Sequence, residues 1–388
     1  MRIAVFFELS NARAGGAYSF NEMILKNLLK NKDLYKHELL LVFSKQNALN
    51  ATPDIPFPGK IQYKLAFLIS FLKQVFDSNI LTVGVNLESC RSAHLDRLLI
   101  KYKVDAVWAV QPLGVPVNRL FFTTSWDIAH KITPYFPEIS DNGKLLKKRD
   151  KVASEIFSRA TRIIVGTEVG KREIELAYGV NSARIIVNPL PVKKASMQGL
   201  KQNNSFKLIY PANFWAHKNH AVLIKALRIV IDRTGMPLQL FLSGSNCGSQ
   251  EMISNLVKKL ELENSVNFVG FLSENDLNDL YKECSLLIFP SLIGPDNLPP
   301  LEALTFGCKI AVADIPGARE QFGKFAIYFD PYNVSEIARA IELSITENGS
   351  SLNLGEINDF VMLRDCDRYI NFILKEFDKF EHIMQYIE

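Results

Sequence analysis

The chain has no run of about eighteen or more apolar residues, no C-x-x-C pair, no H-E-x-x-H and no large excess of either charge. The first absence argues against a membrane-spanning helix. The apolar stretch Leu65–Phe76, LAFLISFLKQVF, is short and carries Lys73 inside it, so it reads as a helix with one buried face or as one lying in a membrane surface beside Lys60 and Lys64. The five cysteines, Cys90, Cys247, Cys284, Cys308 and Cys366, are an odd number without paired spacing. They suggest neither a disulfide framework nor a zinc site, and free thiols in a reducing cytoplasm are the simplest expectation. Forty-five basic against 41 acidic residues leave a net charge of +4, too small a surplus to argue for nucleic acid. Met1 and Arg2 run straight into Ile3–Phe7 and Glu8, without the pattern of a secretory signal.

What is present is ordinary globular composition, 48% hydrophobic and 22% charged, in 388 residues, enough for two domains. Short apolar runs alternate with helical periodicity. Strands are expected at Ile3–Phe7, Glu38–Phe43, Ala106–Val110, Leu120–Ser125 and Arg162–Val165. A second set is expected at Lys207–Tyr210, Gln239–Leu242, Val266–Phe268, Leu286–Phe289, Lys309–Ala313 and Ala326–Phe329. Most are continuous Val/Ile/Leu/Phe runs, as in strands covered on both faces. Helices are expected at Ser19–Lys30, Ala221–Arg233, Gln250–Leu260 and Glu274–Lys282. Such alternation implies parallel sheets flanked by helices, an α/β class. The polar stretch Pro189–Asn204 reads as a linker, which divides the chain into domains at 1–190 and 205–365. The tail 366–388 reads as a helix with Tyr369, Phe372, Ile373, Phe377 and Phe380 on its apolar side, a face that could pack back on the first domain.

Four segments carry polar chemistry at a strand's carboxyl end, where open parallel sheets bind ligands. In PSLIGPDNLPPLEALTFGC, Pro290–Cys308, Asn297 is a helix N-cap, Pro299 and Pro300 fit the first turn and Gly307 stops the helix. The N–H groups of its first turn suit a phosphate, and Glu302 can reach sugar hydroxyls. An ordinary capped helix with a solvated Glu reads the same way. In NFWAHKNH, Asn213–His220, Lys218 would neutralise a diphosphate with His217 and Asn219 as donors, unless the loop is merely solvated. In RAGGA, Arg13–Ala17, Gly15 and Gly16 allow close approach of the backbone to a ligand or simply a tight turn. In TSWDIAHKITPYFPE, Thr124–Glu138, Asp127 and His130 are candidate catalytic groups, although a lone His is often structural. No pattern of metal ligands accompanies them, so no metal and no cofactor are expected.

Together these segments resemble the retaining glycosyltransferases of family 4, the glycosyl transferases group 1. LPPLEALTFGCKIAVAD from Leu298 is similar to that family's donor-site helix and following strand, and IPGAREQFGKFAIYFDP from Ile315 continues the likeness. VGTEVGKREIELAYG from Val165 and RIIVNPLPV from Arg184 extend it into the first domain. FWAHKNH resembles the diphosphate loop and WDIAHKITPYFP the acceptor-side loop. The resemblance implies the GT-B fold, two facing Rossmann-like domains with an interdomain cleft. It implies a nucleotide-sugar donor held by the second domain, an acceptor pocket in the first, and no metal. By position, Glu302 would hold the ribose and Lys218 with the backbone at Leu298 the diphosphate. Gly15 and Gly16 would close over that diphosphate, and Gly270, Phe271 and Leu272 would lie near the base. Two departures stand out: Gly294 replaces a usual glutamate, and Trp126 stands where many members have His.

The implied reaction moves a sugar from nucleotide to a glycan or lipid-linked glycan in cell-surface polysaccharide synthesis. The chain would act in the cytoplasm, with the inner membrane face as a peripheral contact. Two other readings compete: a nucleotide-sugar epimerase on the same scaffold, and a non-catalytic binding protein, for which Gly294 and Trp126 are the argument.

Overall fold

The computed structural model describes residues 1–8, 16–44, 82–85, 92–112, 117–193, 206–346 and 353–384. Leu65–Phe76, Gly15, Cys90 and most of the Pro189–Asn204 stretch lie outside them. The first sheet holds β1 (Arg2–Glu8), β2 (Glu38–Ser44), β3 (Thr82–Val85), β4 (Ala106–Ala109), β5 (Leu120–Thr124), β6 (Arg162–Val165) and β7 (Ile185–Val187). Its order is β3-β2-β1-β4-β5-β6-β7, with every pairing parallel.

The second sheet holds β8 (Lys207–Pro211), β9 (Gln239–Ser243), β10 (Val266–Gly270), β11 (Leu286–Phe289), β12 (Lys309–Ala313) and β13 (Ala326–Phe329). It is parallel throughout, in the order β10-β9-β8-β11-β12-β13. Both are doubly wound sheets whose order reverses beside the first strand, at β1/β4 and at β8/β11. At such switch points loops diverge and leave a crevice. β3 and β7 are edge strands absent from the expectations. β3 is short and contains Gly84, and β7 is only three residues long although its IIV repeats that of β6.

Strand periodicity explains the two apolar layers of the first domain. Ile3, Val5 and Phe7 of β1 face one side, and Ala4 and Phe6 the other. The side bearing Ile3, Val5 and Phe7 is covered by the helix Gly16–Lys30 and by the terminal helix Cys366–Met384. Through Tyr369, Ile370, Ile373 and Phe377, that layer is continuous with the core of the second domain.

The terminal helix follows the second domain in sequence and docks on the first. The Phe377 ring stacks on Phe122 at 3.7 Å, and Tyr369 meets Phe20 edge-on. Lys36 pairs with Asp378 and Glu381, and Glu381 also takes the Met1 ammonium at 3.2 Å. Deleting a buried aromatic of this kind costs about 3–5 kcal/mol. The helix is therefore a structural strap across the two domains. A second crossing lies alongside, where the Val192 N–H donates to the Arg364 carbonyl at 3.0 Å.

Candidate functional site

The second domain's switch point brings two loops together. The Lys218 ammonium, after β8, donates to Ser291 Oγ, after β11, at 3.2 Å. The Ser291 hydroxyl itself donates to the Ile293 carbonyl, so only its lone pairs face the lysine. The Leu292 N–H donates to the His217 carbonyl at 2.9 Å, and the Tyr210 hydroxyl holds the Lys218 carbonyl at 2.7 Å. Lys218 is therefore not a freely solvated side chain. Burial pushes its ammonium down to about 8, against the opposing pull of Asp127 and Glu138 from the first domain.

The expected role of Asn219 is corrected. It sits in the left-handed region, φ 58°, and its side-chain amide donates to the carbonyls of Pro290 and Pro331 at 3.3 and 2.9 Å. With both hydrogens committed it shapes the loop and has none to give a diphosphate. Neighbouring His217 is half-buried, and burial is the main reason its imidazole titrates lower than usual.

The helix Leu298–Thr305 forms where the sequence places it, with Gly307 at φ 75° beyond its end. The Gly307 and Cys308 N–H groups close the helix on Leu304 and Ala303. Its N-terminus departs from expectation. Asn297 stands at the cap position, but its side chain turns back and donates to the Gly294 carbonyl at 2.7 Å, and its own N–H donates to Gln321. Pro299 and Pro300 have no N–H. Among the first three helical residues only Leu298 keeps an amide, so this end offers a phosphate one donor instead of several.

Glu302 lies on the same helix and accepts from the Tyr281 hydroxyl at 3.3 Å. Burial raises its carboxyl, while Tyr281 and Lys193 pull it down. Gly294 is held at φ 116°, and a Cβ there would come within 2.8 Å of the Asn297 side chain. A glutamate at 294 would demand a different loop. Gly270, φ 68°, ends β10, followed by exposed Phe271 and half-buried Leu272.

In the first domain, Asp127 is exposed just past β5, and its carboxylate accepts from the Ala129 N–H at 2.9 Å. Its charge bears on Lys218 and His217 across the cleft. His130 is placed differently from expectation. It is buried, its Nε2 meets the Tyr178 hydroxyl at 2.7 Å, and Tyr178 donates on to Asp150. Every charged group bearing on His130 belongs to the first domain, so it braces that domain's helices and is not carried forward as a catalytic group. Gly16 begins the helix Gly16–Lys30, with open space where a Cβ would stand.

The structure adds residues that the sequence did not single out. Glu138, in the short helix Pro137–Ser140, accepts from the backbone N–H of His217 at 3.0 Å and meets its Nδ1 at 2.5 Å. Glu320 accepts the Glu168 and Val169 N–H groups at the start of the helix Glu168–Tyr178, a carboxylate at the positive end of a helix dipole. Asp296 lies against Gly166 at the end of β6. The carboxyl ends of the two sheets therefore face each other across one cleft. Glu138 ends the polar segment Thr124–Glu138, but its partner is 79 residues away and no spacing marks it. Among the described residues, no group of three or more His, Cys, Asp and Glu could hold a metal ion, and no helix is long and apolar enough to cross a membrane.

With this geometry in place, comparison with known proteins defines the class. Residues 192–358 match the family described as Glycosyl transferases group 1. The chain is 27% identical over 176 residues to the O-antigen chain mannosyltransferase RfbU of Salmonella typhimurium, covering 45% of this chain and 48% of the relative. It is 22% identical over 210 residues to the O-antigen chain mannosyltransferase B of Escherichia coli, covering 51% of this chain and 55% of the relative. It thus spans about half the length of these curated relatives. The crystal structure of Anabaena Alr3699/HepE with UDP-glucose superposes with a TM-score of 0.67 at 16% identity, over 98% of this chain and all of the other. That likeness shows the fold: the chain is of the GT-B class.

Proposed function

We propose that this chain is a retaining glycosyltransferase of family 4, transferring a hexose from a nucleotide sugar to a glycan or lipid-linked glycan in cell-surface polysaccharide synthesis. The observation that carries the reading is Lys218, a partly desolvated cation at the β8/β11 switch point, facing Asp127 across a closed cleft. Transfer builds negative charge on the leaving diphosphate. A fixed ammonium in a site of low dielectric stabilises that charge far better than water does. The Leu298 amide adds one dipole, and Glu302 with Tyr281 would hold the ribose. Phe271 and Leu272 offer an apolar wall for the base. Asp127 would orient the acceptor hydroxyl, whose proton passes to the departing phosphate oxygen. Lys218 replaces a cation at the diphosphate, so no metal is required in this reading. The mannosyl activity named for the relatives makes nucleotide-linked mannose the first donor to test.

The exposed Lys144, Lys147, Lys148, Arg149 and Lys151 on the helix Lys144–Arg159 would bring the first domain to an anionic inner membrane face, as a lipid-linked acceptor requires. The deciding experiment incubates the chain with GDP-, UDP-, dTDP- and CMP-linked sugars, with and without glycan acceptors, in excess EDTA. Nucleotide released only with acceptor present supports the proposal. Binding without release would leave a binding protein, and interconversion of the donor sugar without acceptor would indicate an epimerase.

A further inference from the structure

The Glu138–His217 contact is formed by two domains and by groups of different chemistry. Glu138 reaches from the first domain beside Phe136, whose ring lies 6.0 Å from the imidazole. The His217 side chain is 13% exposed and that of Glu138 is 8% exposed. Two groups so enclosed are held by few alternatives. The Glu138 carboxyl lies below its ordinary range because both His217 bonds oppose its burial. A carboxylate that accepts from Nδ1 places the proton there, which leaves Nε2 on the other side of the ring. Nε2 has no protein partner among the described residues. The next residue in the chain is Lys218.

We propose that Glu138 is a positioning residue of the glycosyltransferase site. By holding the backbone N–H and the ring Nδ1–H of His217 from the opposite domain, it turns Nε2 toward the diphosphate bound at Lys218, and it does so only when the cleft is closed. This inference rests on the reading above. It links closure to charge: the first domain, which would hold the acceptor, completes the leaving-group site on the second. No proton moves between Glu138 and His217 during transfer. The carboxylate opposes the burial that lowers the His217 titration and so favours the imidazolium, whose Nε2–H would donate to a phosphate oxygen. Such second-layer orientation is a general device for a histidine that must present one nitrogen.

The groups that face His217 are Glu138 and Asp127, which favour its charge, and Lys218, which opposes it. His220 lies near and is pushed down to about 3, by burial first and then by the charges of Lys218 and His217.

The test uses the full chain and Glu138→Gln, which keeps shape and one acceptor oxygen but removes the charge. Three readouts are expected. The His217 titration, followed by ring NMR and assigned with His217→Gln, moves to lower pH. The kcat falls about tenfold while the donor KM stays within about twofold. In a His217→Gln background the Glu138→Gln change has almost no further effect, because the two residues act as one unit. Glu138→Asp restores part of the loss. An unmoved His217 titration, or equal losses from Glu138→Gln with and without His217, overturns the inference. If the wild-type chain turns over no donor, the glycosyltransferase reading fails instead. The link is then judged by the titration and by GDP and UDP affinity: an unchanged titration overturns it, and a lowered one with weaker nucleotide binding upholds it.

Discussion

A Cβ atom on Gly166 would lie 2.0 Å from an oxygen of the Asp296 carboxylate. Gly166 directly follows β6 in the first domain, and Asp296 belongs to the loop after β11 in the second, so this contact measures how tightly the cleft is shut. The Asp296 carboxyl is pushed up to about 7 by burial, with Arg364 and the Gly166 N–H drawing it down.

Gly166→Ala should therefore force the two domains apart at this point. Turnover should fall about tenfold or more, about 1.4 kcal/mol in the barrier. Nucleotide affinity, set by the second domain, should change by less than about twofold. Steady-state kinetics, calorimetry and small-angle scattering together check this. A variant with full turnover and an unchanged radius of gyration would show that the contact is unimportant to the working state.

The same carboxyl makes a pH prediction. Its folded value lies above the ordinary carboxylate range, so the folded chain binds a proton that the unfolded chain releases. This group's contribution to stability is present at low pH and is lost as pH rises through about 7. Asp296→Asn abolishes the titration, so the difference in Tm between wild type and variant should vary over pH 5–8. A constant difference would contradict the assignment.

Lys218→Ala should cut turnover about a hundredfold or more, the scale of losing one charge-stabilising donor. The fold should persist, because the ammonium is already partly desolvated and its loss relieves that cost. With the ammonium held at about 8, wild-type kcat/KM should decline as pH rises through that value, since the neutral amine cannot stabilise the diphosphate. The residual activity of the variant should lack this alkaline limb; the same limb in Lys218→Ala would assign it elsewhere.

Glu302→Ala should weaken nucleotide binding by about 1–3 kcal/mol, by leaving ribose hydroxyls unpaired. It also removes the acceptor of the Tyr281 hydroxyl, so some loss of Tm is expected. Glu302→Gln keeps an acceptor for Tyr281 and separates the two effects. Normal nucleotide affinity in Glu302→Ala would reduce Glu302 to a partner of Tyr281.

Anionic vesicles should co-sediment the chain at low salt and release it at high salt, since each basic residue near such a surface adds about 1 kcal/mol. Replacing Lys144, Lys147, Lys148, Arg149 and Lys151 by Gln should abolish the effect. Equal binding to neutral and anionic vesicles would point to the apolar stretch Leu65–Phe76 instead.

The sequence alone determined the elements and the ends at which ligands gather. Continuous runs such as LLIF and RIIV specify strands covered on both faces, and the helical segments between them force parallel crossovers. Lys218 and Glu302 were legible because each falls in a polar loop or helix start directly after such a run. Those are local properties of spacing and turn chemistry. Only the tertiary structure decided which groups meet across the cleft. Glu138 reaches His217, Asp296 reaches Gly166 and Glu320 caps a helix of the other domain. It also withdrew Asn219 and His130, whose polar atoms are engaged by Pro290 and Pro331 and by Tyr178. Hydrogen-bond partners far apart in sequence leave no periodicity behind. They are fixed by how the strap helix at 366–384 holds the two domains together, a matter of packing that no single segment encodes.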